Sequence, residues 1–380
     1  MTALLDDTLD HLRALVAFDT RNPPRAIDGG GIFDYLRAHL RGFECTLTDH
    51  GAGAVSLLAV RGRPRLLFNV HLDTVPDSPH WSASPFELRV SGDRAVGLGA
   101  CDIKGAAAGL LAAAAANDGD VAFLFTSDEE ANDARCIAAF LAGPHRYEAV
   151  IVAEPTRCRA VLAHRGISSL LLRFAGRAGH ASGAQGAADS ALHQAVRWSA
   201  RALDHADSLA GERFGELTGL RFNIGRIEGG IKANMIAPAA ELRCGLRPLP
   251  SMDVDALLAT LRGLAPVAPA AFEETFRGPP LPAGDAHAAS ARRQAAQALA
   301  TSLGLPIGAA VDFWTEASLF SAAGYAAFVY GPGDIAQAHA ADEWVALSQL
   351  QDYAGSVLRS IDQARCGDAA APAGQKGASA

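Results

Sequence analysis

Across 380 residues there is no block of like charge, no Cys-x-x-Cys pair and no apolar run long enough to cross a bilayer. Each absence removes a class of function. Net charge is −8 with a pI near 5.8, and the basic residues are scattered, so an anionic nucleic-acid backbone is not an expected partner. The longest apolar run, residues 106–116, is alanine-rich and sits between Lys104 and the Asn117-Asp118 pair. It falls short of the roughly 20 residues a membrane crossing needs and reads as a buried helix, so no membrane partner is expected. Six cysteines without a paired motif point to reduced thiols. The first ten residues lack a basic n-region and reach Asp6 and Asp7 before any apolar core, so no leader is expected and a cytoplasmic location fits best. No internal repeat is visible. What is there is an apolar fraction of 49% against 19% charged, in a chain longer than one core usually holds, which predicts two domains.

Helical and strand-like stretches alternate along the chain. Leu4, Leu5, Leu12, Leu15 and Val16 recur at helical spacing and predict an amphipathic helix, ending before the loop forced by Pro23 and Pro24. A second helix carries Ile32, Phe33, Leu36 and Leu40 on one face. Strand-like runs at 54–60 and 65–70, the alanine-rich helix, and apolar runs at 121–125 and 149–153 predict an α/β layer with a largely buried sheet. From about Arg165 the pattern changes to strand 167–174, helix 187–209, strands 220–227 and 239–246, helix 253–264 and strand 272–276. That is the split β-α-β-β-α-β order of a ferredoxin-like domain. After Pro279-Pro280 a helix at 290–303, an apolar run at 326–330 and a helix at 348–361 restore α/β character. The expected division is a first α/β segment at 1–165, an insertion at 166–277, a second α/β segment at 278–365 and a disordered tail at 366–380.

Charged residues stand where the strands end. Leu66-Leu67-Phe68 leads into Asn69-Val70-His71-Leu72-Asp73-Thr74-Val75-Pro76. In an extended segment His71 and Asp73 point to one side, so an imidazole that takes a metal and a carboxylate that holds its other ring nitrogen can cooperate. A satisfied core histidine before a turn is the plainer alternative for this octet alone. Asp102 sits in the glycine-punctuated loop 97–105, Glu129 and Glu130 follow the run at 121–125, Glu154 follows Val152, and His339 follows the run ending at Tyr330. A lone Glu pair is usually a solvated turn and a lone histidine usually packs. Functional sites of open α/β sheets, however, gather at the carboxyl ends of the strands, and a whole set placed there points to a site.

The order His-x-Asp, Gly-x-Gly-x-x-Asp-x-Lys-Gly, Glu-Glu, Glu-Pro and a final His ahead of Asp-Glu resembles the co-catalytic di-zinc deacylases and peptidases, a family that includes acetylornithine deacetylase, succinyl-diaminopimelate desuccinylase and aminoacylase. The resemblance runs through essentially the whole chain to about Ile361. It implies a Zn-peptidase-like mixed-sheet catalytic domain from 1–165 and 278–365, with 166–277 as a lid that also forms a homodimer. It implies two divalent cations, zinc or alternatively cobalt, with Asp102 bridging both, His71 and Glu154 completing one site, and Glu130 and His339 the other. Asp73 would orient His71, and Glu129 would be the general base. The residues alone do not separate Glu129 from Glu130, because neighbours at a strand end face apart either way. The chemistry suits the set: cations about 3.5 to 4 Å apart can be spanned by one carboxylate. Four positive charges against Asp102, Glu130 and Glu154 leave a positive excess that acidifies water, whose proton Glu129 would pass to the leaving amine. Two positions depart from the family pattern, Leu98 where Arg is usual and Asn132 where glycine is common, and neither removes a ligand.

In the inserted domain the resemblance implies that His180 reaches across a dimer to a developing oxyanion, and that Asn234 and Arg247 hold the substrate. An Arg fork suits a free α-carboxylate. Lys232 is a further candidate for holding substrate. Plainer readings are a loop histidine, a turn asparagine and solvated cations. The segments 312–317 and 331–343 resemble the acetylornithine deacetylase branch, with Glu316 facing the distal end of the substrate. A carboxylate there suits a cationic end, whereas a neutral ureido end needs donors and acceptors. The expected reaction is hydrolysis of the N-acetyl amide of an amino acid, and a dipeptidase or carboxypeptidase on the same scaffold is the nearest alternative. A metal-free binding protein has no need of all these residues together. A cysteine hydrolase centred on Cys101 is opposed by Asp102, whose charge raises a neighbouring thiol's pKa.

Overall fold

A computed structural model of the chain describes residues 2–131, 133–144, 147–183, 189–265 and 267–367. Asn132, the first residues of the helix expected from 187, and the expected tail from residue 368 lie outside these. In chain order the elements are α1 (Ala3–Val16), α2 (Ile32–His39), β1 (Glu44–Asp49), β2 (Val55–Arg61), β3 (Leu66–His71), β4 (Arg89–Ser91), β5 (Arg94–Val96), α3 (Lys104–Ala116), β6 (Val121–Thr126), α4 (Arg135–Ala142) and β7 (Ala149–Val152). There follow β8 (Ile167–Ala175), α5 (Ala191–Ser208), β9 (Arg213–Phe214), β10 (Leu217–Thr218), β11 (Arg221–Gly229), β12 (Ala239–Arg247), α6 (Val254–Gly263) and β13 (Ala271–Gly278). Last come α7 (Ala286–Ser302), α8 (Ala317–Ala322), β14 (Ala326–Val329), β15 (Trp344–Ala346) and α9 (Leu347–Gly367). The final helix therefore runs past the expected end at 361 and takes in Cys366 and Gly367.

Two compact units result. One comprises the chain up to Val161, Arg292–Gly308 and the chain from Ala323; the other comprises Leu162–Ala291 and Ala309–Ala322, and contains the whole of 166–277.

In the first unit six strands form one mixed sheet in the order β1-β2-β6-β3-β7-β14. The four from β6 to β14 run parallel, and β2 and β1 are added antiparallel at one edge. Because β3, β6 and β7 are buried along their whole length, they carry continuous apolar runs rather than an alternation. Parallel pairing brings their carboxyl ends to one side of the sheet. A separate three-stranded sheet has the order β15-β5-β4. Strands of two or three residues carry no readable period, so β4, β5, β9, β10 and β15 have no counterpart in the sequence analysis.

In the second unit four antiparallel strands stand in the order β11-β12-β8-β13, which with α5 and α6 is the split β-α-β-β-α-β arrangement expected. The short β9-β10 hairpin is added between α5 and β11. Leu170, Leu172 and Phe174 of β8 and Ala240, Leu242, Cys244 and Leu246 of β12, at every second position, meet Ala195, Trp198 and Ala202 of α5 and Leu257 and Leu261 of α6. Trp198 is fully buried, and its Nε1–H donates to the Leu261 carbonyl at 2.8 Å. Trp198→Ala should cost this unit about 3–5 kcal/mol in chemical denaturation, and a loss under about 1 kcal/mol would contradict this packing.

A buried polar network explains why 309–322 belongs with this unit. The Arg165 guanidinium, wholly buried, donates to Asp312 and to the carbonyls of Thr218 and Gly219. Beside it the His164 Nδ1 lies 2.7 Å from the Arg165 carbonyl and Nε2 lies 3.0 Å from the Thr315 hydroxyl, the pattern of a neutral ring with Nδ1–H donating. Burial, helped by the positive Arg247, pushes the His164 pKa down to about 4. An unfolded chain takes up this proton near pH 6.5 and the folded chain only near 4, so His164 weakens the fold progressively as pH falls through that window. Denaturation of wild type and His164→Asn at pH 7 and pH 5 checks this: the variant should lose less stability on acidification, and an equal loss would clear His164 of the effect.

Candidate metal centre

Parallel pairing continues past the strand ends and sets the spacing of the site. The Leu72 N–H donates to the Thr126 carbonyl and the Ala153 N–H to the Asn69 carbonyl, each at 2.8 Å. His71, the 127–130 turn and Glu154 are thereby held side by side. The Tyr330 N–H donates to the Val152 carbonyl at 2.9 Å and brings in the loop that carries His339. A side chain on Gly331 would meet the Glu154 carbonyl oxygen at 2.5 Å, so only glycine lets that loop approach so closely. His339 itself has φ 57, a left-handed conformation uncommon outside glycine.

The side chains converge on Asp102. His71 Nε2 is 3.1 Å from Asp102 Oδ1 and 3.9 Å from Glu154 Oε1. His339 Nε2 is 3.3 Å from Asp102 Oδ2 and 3.0 Å from Glu130 Oε1. Two groups of three ligand-type residues follow, His71 with Asp102 and Glu154, and Asp102 with Glu130 and His339, in each of which the ligand atoms lie within 4.8 Å of one another. Each carboxylate oxygen of Asp102 serves one group. The first group is buried, whereas the His339 side chain of the second is 49% exposed.

Asp73 holds His71 through two kinds of atom. Its carbonyl oxygen is 3.0 Å from the ring Nδ1 and its Oδ1 is 3.6 Å away, so the main chain is the nearer partner. The carboxylate also reaches a second element, because Oδ2 accepts from the Glu130 N–H and from Asn22 Nδ2, both at 3.0 Å. It therefore fixes the turn that carries Glu129 and Glu130. Asn22, in the double-proline loop, had no role in the sequence analysis, since nothing local links it to residue 73.

The electrostatics fit cations. Against two imidazoles stand the carboxylates of Asp73, Asp102, Glu129, Glu130 and Glu154. Burial pushes Glu129 up to about 8 despite the nearby His71, with Glu130 and Asp102 adding to the rise. Burial and the neighbouring Asp102 hold Glu154 well above the usual carboxylate range. Burial raises Glu130 too, against the His339 hydrogen bond. Asp102 is drawn the other way, its burial outweighed by hydrogen bonds from His339 and His71. The same bonds from Asp102 and Glu130 raise His339 to about 11. Carboxyls pushed up by burial and by one another resist ionising, and cations beside them would favour the ionised form; imidazole with carboxylate is a donor set that zinc accepts.

Cys101 is buried, and burial reinforced by Glu343 and Asp102 raises its thiol pKa, the opposite of activation for a nucleophile. The described cysteines Cys45, Cys101, Cys136, Cys158 and Cys244 are free thiols, and no described helix is long and apolar enough to cross a membrane.

In the second unit, His180 bridges to Met235 and the Ala181 N–H donates to the Asn234 carbonyl at 3.0 Å, so His180, Asn234 and the nearby Lys232 share one exposed rim. The His180 Nδ1 is 2.7 Å from the Ser182 hydroxyl. Arg247 ends β12 and is half-buried, and Glu316 is buried immediately before α8.

Residues 67–363 match the profile of peptidase family M20/M25/M40, and all the metal-ligand candidates and Glu129 fall within that span. The chain belongs to this family. The family resemblance drawn from the motifs is thus borne out. The N-acetyl-L-citrulline deacetylase of Xanthomonas campestris pv. campestris is 72% identical over 363 residues, covering 95% of this chain and 99% of the relative. The acetylornithine deacetylase of Salmonella typhimurium is 32% identical over 315 residues, covering 78% of this chain and 77% of the relative. Among solved structures, a tripeptidase of Staphylococcus aureus superposes with a TM-score of 0.70 at 18% identity, over 95% of this chain and 98% of the other, which shows the shared fold. The M20 chain is thus a hydrolase with a mixed α/β sheet and two candidate metal-ligand groups that share Asp102.

Proposed function

We propose that the chain hydrolyses N-acetyl-L-citrulline to L-citrulline and acetate, using two divalent cations, zinc in the first place with cobalt as a substitute. One observation carries the chemistry: two ligand groups joined through Asp102, with the carboxyl of Glu129 in the same buried cluster. The 72% identical relative supports the choice of substrate. Bound there, a cation pair supplies Lewis acidity, which lowers the pKa of water and polarises an amide carbonyl. Glu129 takes the proton from the attacking water and delivers it to the leaving amine. Burial, with its like-charged neighbours adding to it, pushes its carboxyl up to about 8, and added positive charge would bring it down toward the range where a base works near neutral pH. Asp73 keeps the Glu129-Glu130 turn in register through the Glu130 N–H.

In this reading His180, Asn234, Lys232, Arg247 and Glu316 are the further residues that act on the substrate. His180 acts on the developing oxyanion across a homodimer, Asn234, Lys232 and Arg247 hold the substrate, with the Arg247 fork suited to a free α-carboxylate, and Glu316 faces the distal end. The exposed apolar side chains of Ile227, Ile231 and Met235 near that rim suit a contact between two copies. Sedimentation showing only monomer would remove the role of His180 in trans. The free thiols suit a cytoplasmic location.

The test is acetate release from N-acetylcitrulline and N-acetylornithine side by side, with zinc- or cobalt-loaded protein and a chelated control. Preference for N-acetylcitrulline is expected. The Glu316 carboxylate favours a second reading, N-acetylornithine, because it would pair with that substrate's ammonium. Turnover of dipeptides faster than either would overturn both.

A further inference from the structure

Glu343 takes no part in the reaction proposed above, yet its carboxylate is fully committed at the edge of the metal centre. Only 2% exposed, it accepts three main-chain hydrogen bonds from the loop that carries Asp102. Oε1 accepts from the N–H groups of Cys101 at 2.8 Å and Asp102 at 2.9 Å, and Oε2 from that of Gly99 at 3.1 Å. The Glu343 carbonyl also accepts from the Gly97 N–H at 3.0 Å, and β15, which begins at the next residue, pairs with β5 just ahead of the same loop. One residue therefore locks the segment bearing His339 against the segment bearing Asp102. Asp342 adds an outer clip, its Oδ1 accepting from the Ser82 N–H and hydroxyl and from Arg89. His71 and Glu154 are anchored otherwise, by the pairing of β3 with β7 and by the Ala153 bond to Asn69.

We propose that Glu343 is a positioning residue for the Asp102–Glu130–His339 group, setting the distance between two of its three ligands. Because both groups share Asp102, loss of Glu343 loosens both, but the cation of this group more, since Glu343 ties the Asp102 loop to the His339 segment whereas His71 and Glu154 are held by strand pairing. Three converging N–H donors need an acceptor with lone pairs on both oxygens. Gln keeps the volume of Glu but sets an NH2 donor against the Gly99 N–H, so the loop that fixes Asp102 must shift. Asp keeps the charge but is one methylene short of reaching all three donors.

The inference rests on the two-cation reading, and the experiment separates the two. Metal-free wild type, Glu343→Gln and Glu343→Asp are titrated with zinc by calorimetry, melting of the metal-free proteins is recorded alongside, and kcat and KM are measured at saturating zinc. Wild type should take two equivalents; Glu343→Gln should bind one of them slightly more weakly and the second about 10–100-fold more weakly, the usual cost of losing a residue that orients a ligand. kcat should fall with that second ion while KM stays within about threefold, because a residue behind the ligands does not touch the substrate. Glu343→Asp should fall between the two and carries the test if the Gln variant does not fold. Wild-type affinity for both ions, or equal weakening of both together with a lower melting temperature, would overturn the proposal. A wild-type chain taking fewer than two equivalents would overturn the two-cation reading and the proposal with it.

Discussion

Glu129→Gln is expected to lower kcat by about 10²–10⁴-fold, the span that general acid–base catalysis supplies. The substitution keeps the shape of the side chain and removes its ability to take a proton. Glu129 belongs to neither group of three ligand-type residues, so zinc stoichiometry should stay at the wild-type value. The pair of readouts separates a base from a ligand, which the sequence alone leaves open for Glu129 and Glu130. The converse change, Glu130→Gln, removes one of the two carboxylates beside His339 and should lose metal. If Glu129→Gln loses zinc and Glu130→Gln does not, the two roles are exchanged.

Asp102→Asn should have the second large effect. Asp102 alone is common to both ligand groups, with one oxygen toward His71 and the other toward His339. An amide offers one oxygen and one NH2 group, and cannot bridge two cations. The charge lost is also the one both histidines lean on. Calorimetry should show both zinc sites weakened together, and acetate release should fall to the level of the chelated control. Retention of half the metal with half the rate would mean that the two groups are independent.

The parts legible in sequence are those in which one short stretch supplies its own context. His71, the Glu129-Glu130 pair and Glu154 could be picked out because each closes an apolar run that is buried on both faces in a parallel sheet. The ferredoxin-like order was legible because β8 is a short apolar run, β12 alternates and α5 has helical spacing. Illegible parts depend on groups distant in the chain. Glu343 acts on main-chain N–H groups some 240 residues earlier, and N–H groups leave no trace in residue identity. The hold of Asp73 on the Glu130 N–H is of the same kind. So is the attachment of 309–322 to the second unit, which rests on His164 and Arg165 meeting Thr315 and Asp312. The β4 and β5 strands are too short to display a period, yet they bring the Asp102 loop to β15.

The most direct test of a two-cation amidohydrolase is a zinc titration of metal-free protein with acetate release from N-acetylcitrulline read at each addition. The rate should start at zero, rise over the first two equivalents and then level. Turnover that persists with excess chelator, or that is complete at one equivalent, would contradict the assignment of Asp102 as the ligand shared between two ions.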